Sequence, residues 1–303
     1  MNPPARAMRT ILSGLLCAVL LRPHEVTQVQ LLLERKLGKQ IEAIEASTAG
    51  ILGVVAVDLT SGRVVLNRNG DAVFPQASAI KIPIMMKVFE QVKAGKLRLD
   101  QPVNVSPADA VGGSGRLAAT LREHSMPLTI ENLVTAMIES SDNTATNKLI
   151  GLVGAPEVNS MLARLGFLNT RLRRIMMDVQ AAERGDENVS TPVEMVRIVE
   201  LIYRGRAVDH ASSVRMLDAL KLVRGDFRAA VPAHVVVASK TGELTGVRTE
   251  AGVVFVPGRP FAFSVCATFL SGDENPIPPV ARELYAHFDK LSRSNAFGNG
   301  GVR

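Results

Sequence analysis

The extended, β-branched segments of this chain lie near its two ends, and a long helical stretch separates them. Residues 50–59 (GILGVVAVDL) and 64–69 (VVLNRN) flank the turn TSGR. Residues 234–243 (HVVVASKTGE), 248–256 (RTEAGVVFV) and 260–270 (PFAFSVCATFL) are separated by LTG and PGRP. Short turns between such runs make antiparallel neighbours. From 101 to 205 the spacing is mostly helical, with Thr191, Pro192 and Gly205 bounding one helix. Helical patterns at 26–46 and 278–293 bracket the whole. The expected fold is α/β (α+β): a five-stranded antiparallel sheet flanked by terminal helices, with an all-helical insertion.

The expected organisation follows. Residues 27–75 plus 206–293 form an α/β sheet subdomain. Residues 76–205 form a helical subdomain with a long loop at 167–190, and residues 294–303 form a disordered tail. Residues 1–26 hold Arg6 and Arg9 before an apolar run at 11–21, which reads as a secretory signal or an uncleaved anchor. An exported protein, periplasmic or extracellular, is expected, with no stable membrane span after processing.

With 47% hydrophobic and 21% charged residues the chain is globular, and 303 residues allow an ample core. The net charge of +6 is dispersed and aromatics are 4%, so no nucleic-acid surface is expected. The five histidines are scattered and the two cysteines, Cys17 and Cys266, stand far apart. No metal and no cofactor are expected. A monomer acting on a small molecule is expected.

Three short motifs could carry chemistry. Ser78 and Lys81, in QASAIKIPIM, share a face at the start of a helix, where a desolvated lysine can act as base beside a hydroxyl. Ser141-Asp142-Asn143 lies between two helical runs and reads equally as an N-cap. Lys240-Thr241-Gly242 ends an apolar strand, where a cation and a hydroxyl can hold a carboxylate. Each alone is common. In this order, on a helix start, a loop and a strand, they form the set found in class A β-lactamases and penicillin-binding proteins.

Over residues 31–293 the chain resembles the class A β-lactamase family, with its serine β-lactamase / D,D-peptidase-like fold. The stretches GVVAVDLTSGRVVLNRN and ESSDNTATNKLIGLVGAPEVNSMLARLG support the likeness. The resemblance implies that Ser78 is the acylated nucleophile and Lys81 its base or proton relay. It implies that Ser141 protonates the leaving nitrogen and that Asn143 orients Lys81 and the substrate amide. Lys240 and Thr241 would hold the substrate carboxylate, Gly242 would let the ligand approach, and the N–H groups of Ser78 and Glu243 would form the oxyanion hole.

The likeness breaks in the loop at 167–190. The resemblance makes Arg174 the loop-anchoring arginine and puts Met176 where a glutamate directs the deacylating water. A methionine cannot take that proton. Gln180 falls where an asparagine is usual, and Asn188 where the acidic partner of Arg174 is expected. Asp178 and Glu183 are nearby carboxylates, Asp178 being the candidate substitute base, or else the partner of Arg173 or Arg174. Arg248 stands one residue early for a carboxylate-binding arginine. The expected activity is β-lactam opening through an acyl-serine with deacylation impaired. The alternatives are a D,D-peptidase or esterase acting on cell-wall peptides, or an acyl-accepting penicillin-binding module.

Overall fold

The computed structural model describes residues 26–121 and 124–300. The segment on which the expected signal or anchor falls, 1–25, lies outside the described residues. The main sheet contains β1 (Ile51–Asp58), β2 (Val64–Arg68), β3 (Val236–Leu244), β4 (Val247–Phe255) and β5 (Phe261–Thr268). Its order is β2-β1-β5-β4-β3 and every neighbouring pair is antiparallel, as the end-loaded strand pattern requires. The pairing of β1 with β5, with Val54 opposite Val265, joins the two ends of the chain at the centre of the sheet.

Helices cover both faces, which is why the strands read as nearly continuous apolar runs. On one side α1 (Gln28–Ala46) and α8 (Ile277–Ser292) lie together. Leu52, Val54 and Ala56 of β1 share a core there with Leu37, Ile41, Val280, Leu284 and Phe288. Phe261 stacks on Phe288 with ring centroids 4.1 Å apart. On the other side Val55 and Val57 meet the helical insertion. This inserted layer contains α2 (Lys81–Lys93), α3 (Ile130–Glu139), α4 (Asn143–Val153), α5 (Ala155–Arg164), α6 (Pro192–Tyr203) and α7 (His210–Lys221).

Helix α2 is the hub, with the nine consecutive residues from Lys81 to Phe89 buried. A helix apolar on all sides has to be enclosed by others, and α3, α4 and α5 enclose it. Caps fix the ends of its neighbours. Thr191 accepts from the Glu194 amide, and Thr129 forms a capping box with Asn132.

Two small ribbons interrupt the helical pattern expected over 101–205. Pro102–Val105 pairs with Met126–Thr129, and Phe74–Pro75 pairs with Val189–Ser190. Strands this short leave no periodic signal. The second ribbon fastens the end of the long loop to the segment leading into Ser78. Residues beyond α8 turn back onto α1, where the Thr27 hydroxyl donates to the Ala296 carbonyl at 2.7 Å. Among the described residues no helix is long and apolar enough to cross a membrane.

Candidate active site

Ser78 sits in a single 3-10 turn, Ala77–Ile80, that runs straight into α2 at Lys81. Ala77 has φ of 46°, a left-handed conformation that a side chain disfavours and that the surroundings must enforce. They do so from two sides. The Gln76 amide donates to the Asn188 carbonyl at 2.8 Å, and the Thr249 hydroxyl donates to the Gln76 carbonyl at 2.9 Å. Strand β3 closes against the same turn through Gly242. A Cβ there would lie 2.5 Å from the Gln76 oxygen and 2.9 Å from the Ser78 nitrogen. Glycine therefore lets the backbone of residues 242–243 come up beside that of Ser78. Ser78, Asn143 and Glu243 line one cleft of about 510 Å³.

Beneath the cleft lie two fully buried lysines. The Lys81 amine contacts the Ser141 carbonyl at 2.7 Å, Ser141 Oγ at 3.0 Å and Asn143 Oδ1 at 3.0 Å. The Lys240 amine donates to Ser141 Oγ at 3.1 Å and to the Thr241 carbonyl at 2.9 Å. The Ser141 hydroxyl thus bridges the two amines. Burial, then the charge of Lys240, lowers the Lys81 pKa to about 6, with Asp142 opposing. Burial lowers that of Lys240 to about 7, with Glu250 opposing. At neutral pH Lys81 is largely an amine. It lies within donor distance of all three oxygens, Ser141 Oγ included.

Asp142 performs both tasks that its sequence context suggests. One oxygen caps α4 at the Ala145 amide, 2.9 Å away. The other accepts from the Arg116 and Leu117 amides at 2.7 and 2.8 Å, drawing the loop before them onto the site. Asn143 extends that clamp, its amide donating to the Ser114 carbonyl at 3.1 Å and its Nδ2 to the Gly112 carbonyl at 3.0 Å. Gly115 permits the fit, since a Cβ there would lie 2.1 Å from Asp142 Oδ2.

Met176 faces this cleft with a side chain that can neither give nor take a proton. Its backbone is held twice by Asn147, which accepts from its N–H at 2.8 Å and donates to its carbonyl at 3.0 Å. Met177 and Asp178 line the cleft beside it. Asp178 caps the turn Val179–Glu183 through the Ala181 amide at 3.0 Å and forms no ion pair with Arg173 or Arg174. Glu183 and Gln180 are exposed and outside the cleft lining. The carboxylate partner of Arg174 is Glu187, at 2.9 Å. Asn188, the position expected to pair with Arg174, instead accepts from the Arg173 and Arg174 amides at 2.8 and 3.0 Å. The loop register thus differs by one residue from the expected one, with Asn188 doing with backbone what a carboxylate was expected to do with a guanidinium.

Arg248 stands directly opposite Glu243 and so shares a sheet face with Thr241. Its guanidinium turns to the hairpin end, donating to the Val247 and Leu244 carbonyls at 3.0 and 3.2 Å and pairing with Glu243 at 3.0 Å. The structure therefore brings Ser78, Lys81, Ser141, Asn143, Lys240 and the 241–243 backbone together, and commits Arg248 to the turn. Sequence reasoning missed Asn147, Glu187 and Glu250. For the last, a lone acid inside RTEAGVVFV, otherwise a buried run, was the available signal.

Comparison with known proteins agrees with this geometry. The beta-lactamase enzyme family matches residues 36–288. A beta-lactamase from Sphaerobacter thermophilus DSM 20745 has a similar structure, with a TM-score of 0.74 at 32% identity over 83% of this chain and 96% of that one. PBP-A gives a TM-score of 0.76 at 26% identity over 86% and 97%. The ancestral (GNCA) class A beta-lactamase gives 0.76 at 28% over 83% and 100%. A match spanning the sheet, the helical insertion and all three motifs places the chain in the beta-lactamase enzyme family, as a β-lactamase-like serine hydrolase.

Proposed function

We propose that this protein opens β-lactam amides by acylating Ser78 and releases the acyl group slowly. The observation that carries the first half is the Lys81–Ser141–Lys240 bridge beneath the cleft. The Lys81 amine takes the Ser78 proton as Oγ attacks the carbonyl, and the N–H groups of Ser78 and Glu243 receive the oxyanion. The proton then passes from Lys81 through the Ser141 hydroxyl to the leaving nitrogen, as the C–N bond breaks. Lys240 and Thr241 hold the substrate carboxylate, and Asn143 fixes Lys81 and the amide.

The second half needs a water and a base. Met176 supplies none, and loss of a positioned general base costs roughly 100- to 10,000-fold in rate. Asp178 lines the cleft with one oxygen outside its helix cap, whereas Glu187, also at the cleft, is paired with Arg174, so Asp178 is the candidate substitute. Intact mass after addition of benzylpenicillin tests the reading. The expected result is one acyl adduct on Ser78 that outlasts many acylation half-times. The absence of both adduct and turnover would sink it.

A second reading, a D,D-peptidase on cell-wall peptides, draws on the Met176 cleft and on the likeness to PBP-A. One similar structure is a leucine-to-glutamate mutant of PBP-A as an acyl-enzyme complex with penicillin G. Release of D-alanine from a cell-wall peptide would favour this reading, whereas fast penicillin turnover without release would exclude it. An acyl-accepting module would hold the adduct and release nothing. In all three readings the sheet unit (27–75 with 206–293) and the helical unit (76–205) form the two walls, and the protein works as an exported monomer.

A further inference from the structure

Thr249 follows Arg248 on β4, directly opposite Gly242, and is 1% exposed. A hydroxyl buried this deeply needs a partner. Here the partner is the Gln76 carbonyl, 2.9 Å away. The contact runs across the face of Gly242, and glycine makes it possible. A Cβ at residue 242 would overlap the Thr249 hydroxyl as well as the Gln76 carbonyl. The space that Gly242 leaves open is therefore filled from within the protein, by a side chain of the next strand reaching the turn that bears Ser78. The same Gln76 carbonyl accepts from the Ala79 amide at 2.9 Å, and the Gln76 amide donates to the Asn188 carbonyl. The buried Gln76 side chain donates to the Phe74 and Ser190 carbonyls at 3.2 and 3.4 Å. Gln76 is thus fixed through its amide, its carbonyl and its side chain. The next residue, Ala77, holds φ at 46°, and rotation about that bond swings the Ser78 N–H that lies beyond it.

We propose that Thr249 is a positioning residue for acylation, its hydroxyl holding the Gln76–Ala77 peptide so that the Ser78 N–H aims into the oxyanion hole. This rests on the reading above that Ser78 is acylated and that its own N–H receives the oxyanion. Thr249 works through orientation alone, and no proton passes through it. Without the hydroxyl, the Gln76 carbonyl keeps the Ala79 amide but loses its tie to β4. The left-handed Ala77 is then less firmly enforced, and the Ser78 N–H turns away from the developing charge. Deleting an oxyanion donor costs about 100- to 1,000-fold in rate. Misaiming one should cost less, about 10- to 100-fold, and the loss should fall on the limiting acylation rate. Lys240, Thr241 and Asn143 hold the substrate in that reading, so the apparent affinity should change by no more than about threefold.

The test uses the full chain with Thr249→Val, which keeps the shape and loses the hydroxyl, and Thr249→Ala should the valine variant fail to fold. Thr249→Ser keeps the donor and is the rescue. Rapid-quench intact mass with benzylpenicillin separates the limiting acylation rate from the apparent affinity. The infrared band of the acyl-ester carbonyl on Ser78 reports the oxyanion hole directly, since weaker donation to that oxygen raises its frequency. In Thr249→Val and Thr249→Ala the limiting rate should fall by the factor above and the carbonyl band should move up. Thr249→Ser should restore most of the rate and the band position. A merely structural role would lower the melting temperature while leaving rate and band in place, or would be met by a rate loss that serine does not repair. Either result would overturn the proposal. If the wild type forms no adduct, the acyl-serine reading fails, and the backbone amide NMR signals of Ala77 and Ser78 decide whether Thr249 sets the turn. They should shift in the valine and alanine variants and return with serine, and unchanged signals would overturn the positioning role by themselves.

Discussion

Replacing Met176 by glutamate tests the idea that acylation and release are separately equipped. The site is favourable for the change. Both backbone groups of Met176 are held by Asn147, so a new side chain starts from a fixed root and enters the cleft that Ser78 lines. Met176 is 7% exposed, and Met177, Val179 and Ala182 line the same wall. A carboxyl group there is desolvated, which raises its pKa toward the range in which a general base works best near neutrality. A positioned base contributes roughly 100- to 10,000-fold, or about 2.7 to 5.4 kcal/mol of barrier. The adduct on Ser78 should shorten its life by that factor, while acylation changes by no more than about threefold. Met176→Gln is the control, since an amide fills similar space and takes no proton. Intact mass at timed intervals after a penicillin pulse reads both steps. If the glutamate and glutamine variants release the acyl group equally fast, then either Met176 does not face the scissile carbon or another group already serves as base.

Three further outcomes follow from the geometry. Gly242→Ala forces a Cβ against the Gln76 oxygen and the Ser78 nitrogen, so the oxyanion donor must move. Acylation should fall about 100- to 1,000-fold in a pre-steady-state mass assay, with a lower melting temperature. Acylation should rise with pH on a limb whose midpoint is about 6, because Lys81 acts only as the free amine; a pH–rate profile in the limit of low substrate checks this. Stability should fall in acid through His287. Burial, then Lys290 and Arg259, lowers its pKa to about 4, and its Nε2 has no partner among the described residues. The unfolded chain, with a pKa near 6.5, then binds the extra proton, so stability is complete above about pH 6.5 and about 3 kcal/mol is lost by pH 4. Urea midpoints of wild type and His287→Phe against pH measure it, and the variant should show a flatter curve.

The sheet was legible because β-branched runs separated by short turns dictate antiparallel neighbours, whatever lies between the two groups. The three motifs were legible because each sits at an element boundary marked by local chemistry, such as the caps around 141–143. Where the site depended on loop register, sequence was weaker. Residues 167–190 have no period to align on, so the pairing with Arg174 expected of Asn188 falls to Glu187. Arg248 shows a different limit. Its face follows from pairing, but its direction follows from the turn at 244–247, whose carbonyls and Glu243 claim the guanidinium. Glu250 carried no motif at all. Its burial against Ser239 and the Phe227 amide exists only once β3 and β4 pair.

The two halves of the proposed reaction rest on different parts of the fold, which explains how one can be lost alone. Ser78 stands on the turn that runs into the buried hub helix and Lys81 at that helix's start, Ser141 and Asn143 on a capped turn, and Lys240 on the sheet. These three elements meet at the Ser141 hydroxyl, so a change in any of them disturbs the whole acylating set. The loop bearing Met176 pairs at its end with the segment leading into Ser78, and its remaining anchors are separate from the acylating side chains. Asn147 clasps its middle, Glu187 pairs with Arg174 across its neck, and Glu194 accepts from the Asn169 and Thr170 amides at its base. None of these anchors involves the side chain at 176. Replacing that side chain therefore leaves loop and nucleophile standing, and a chain that needs to capture an acyl group can give up the deacylating base without giving up its fold.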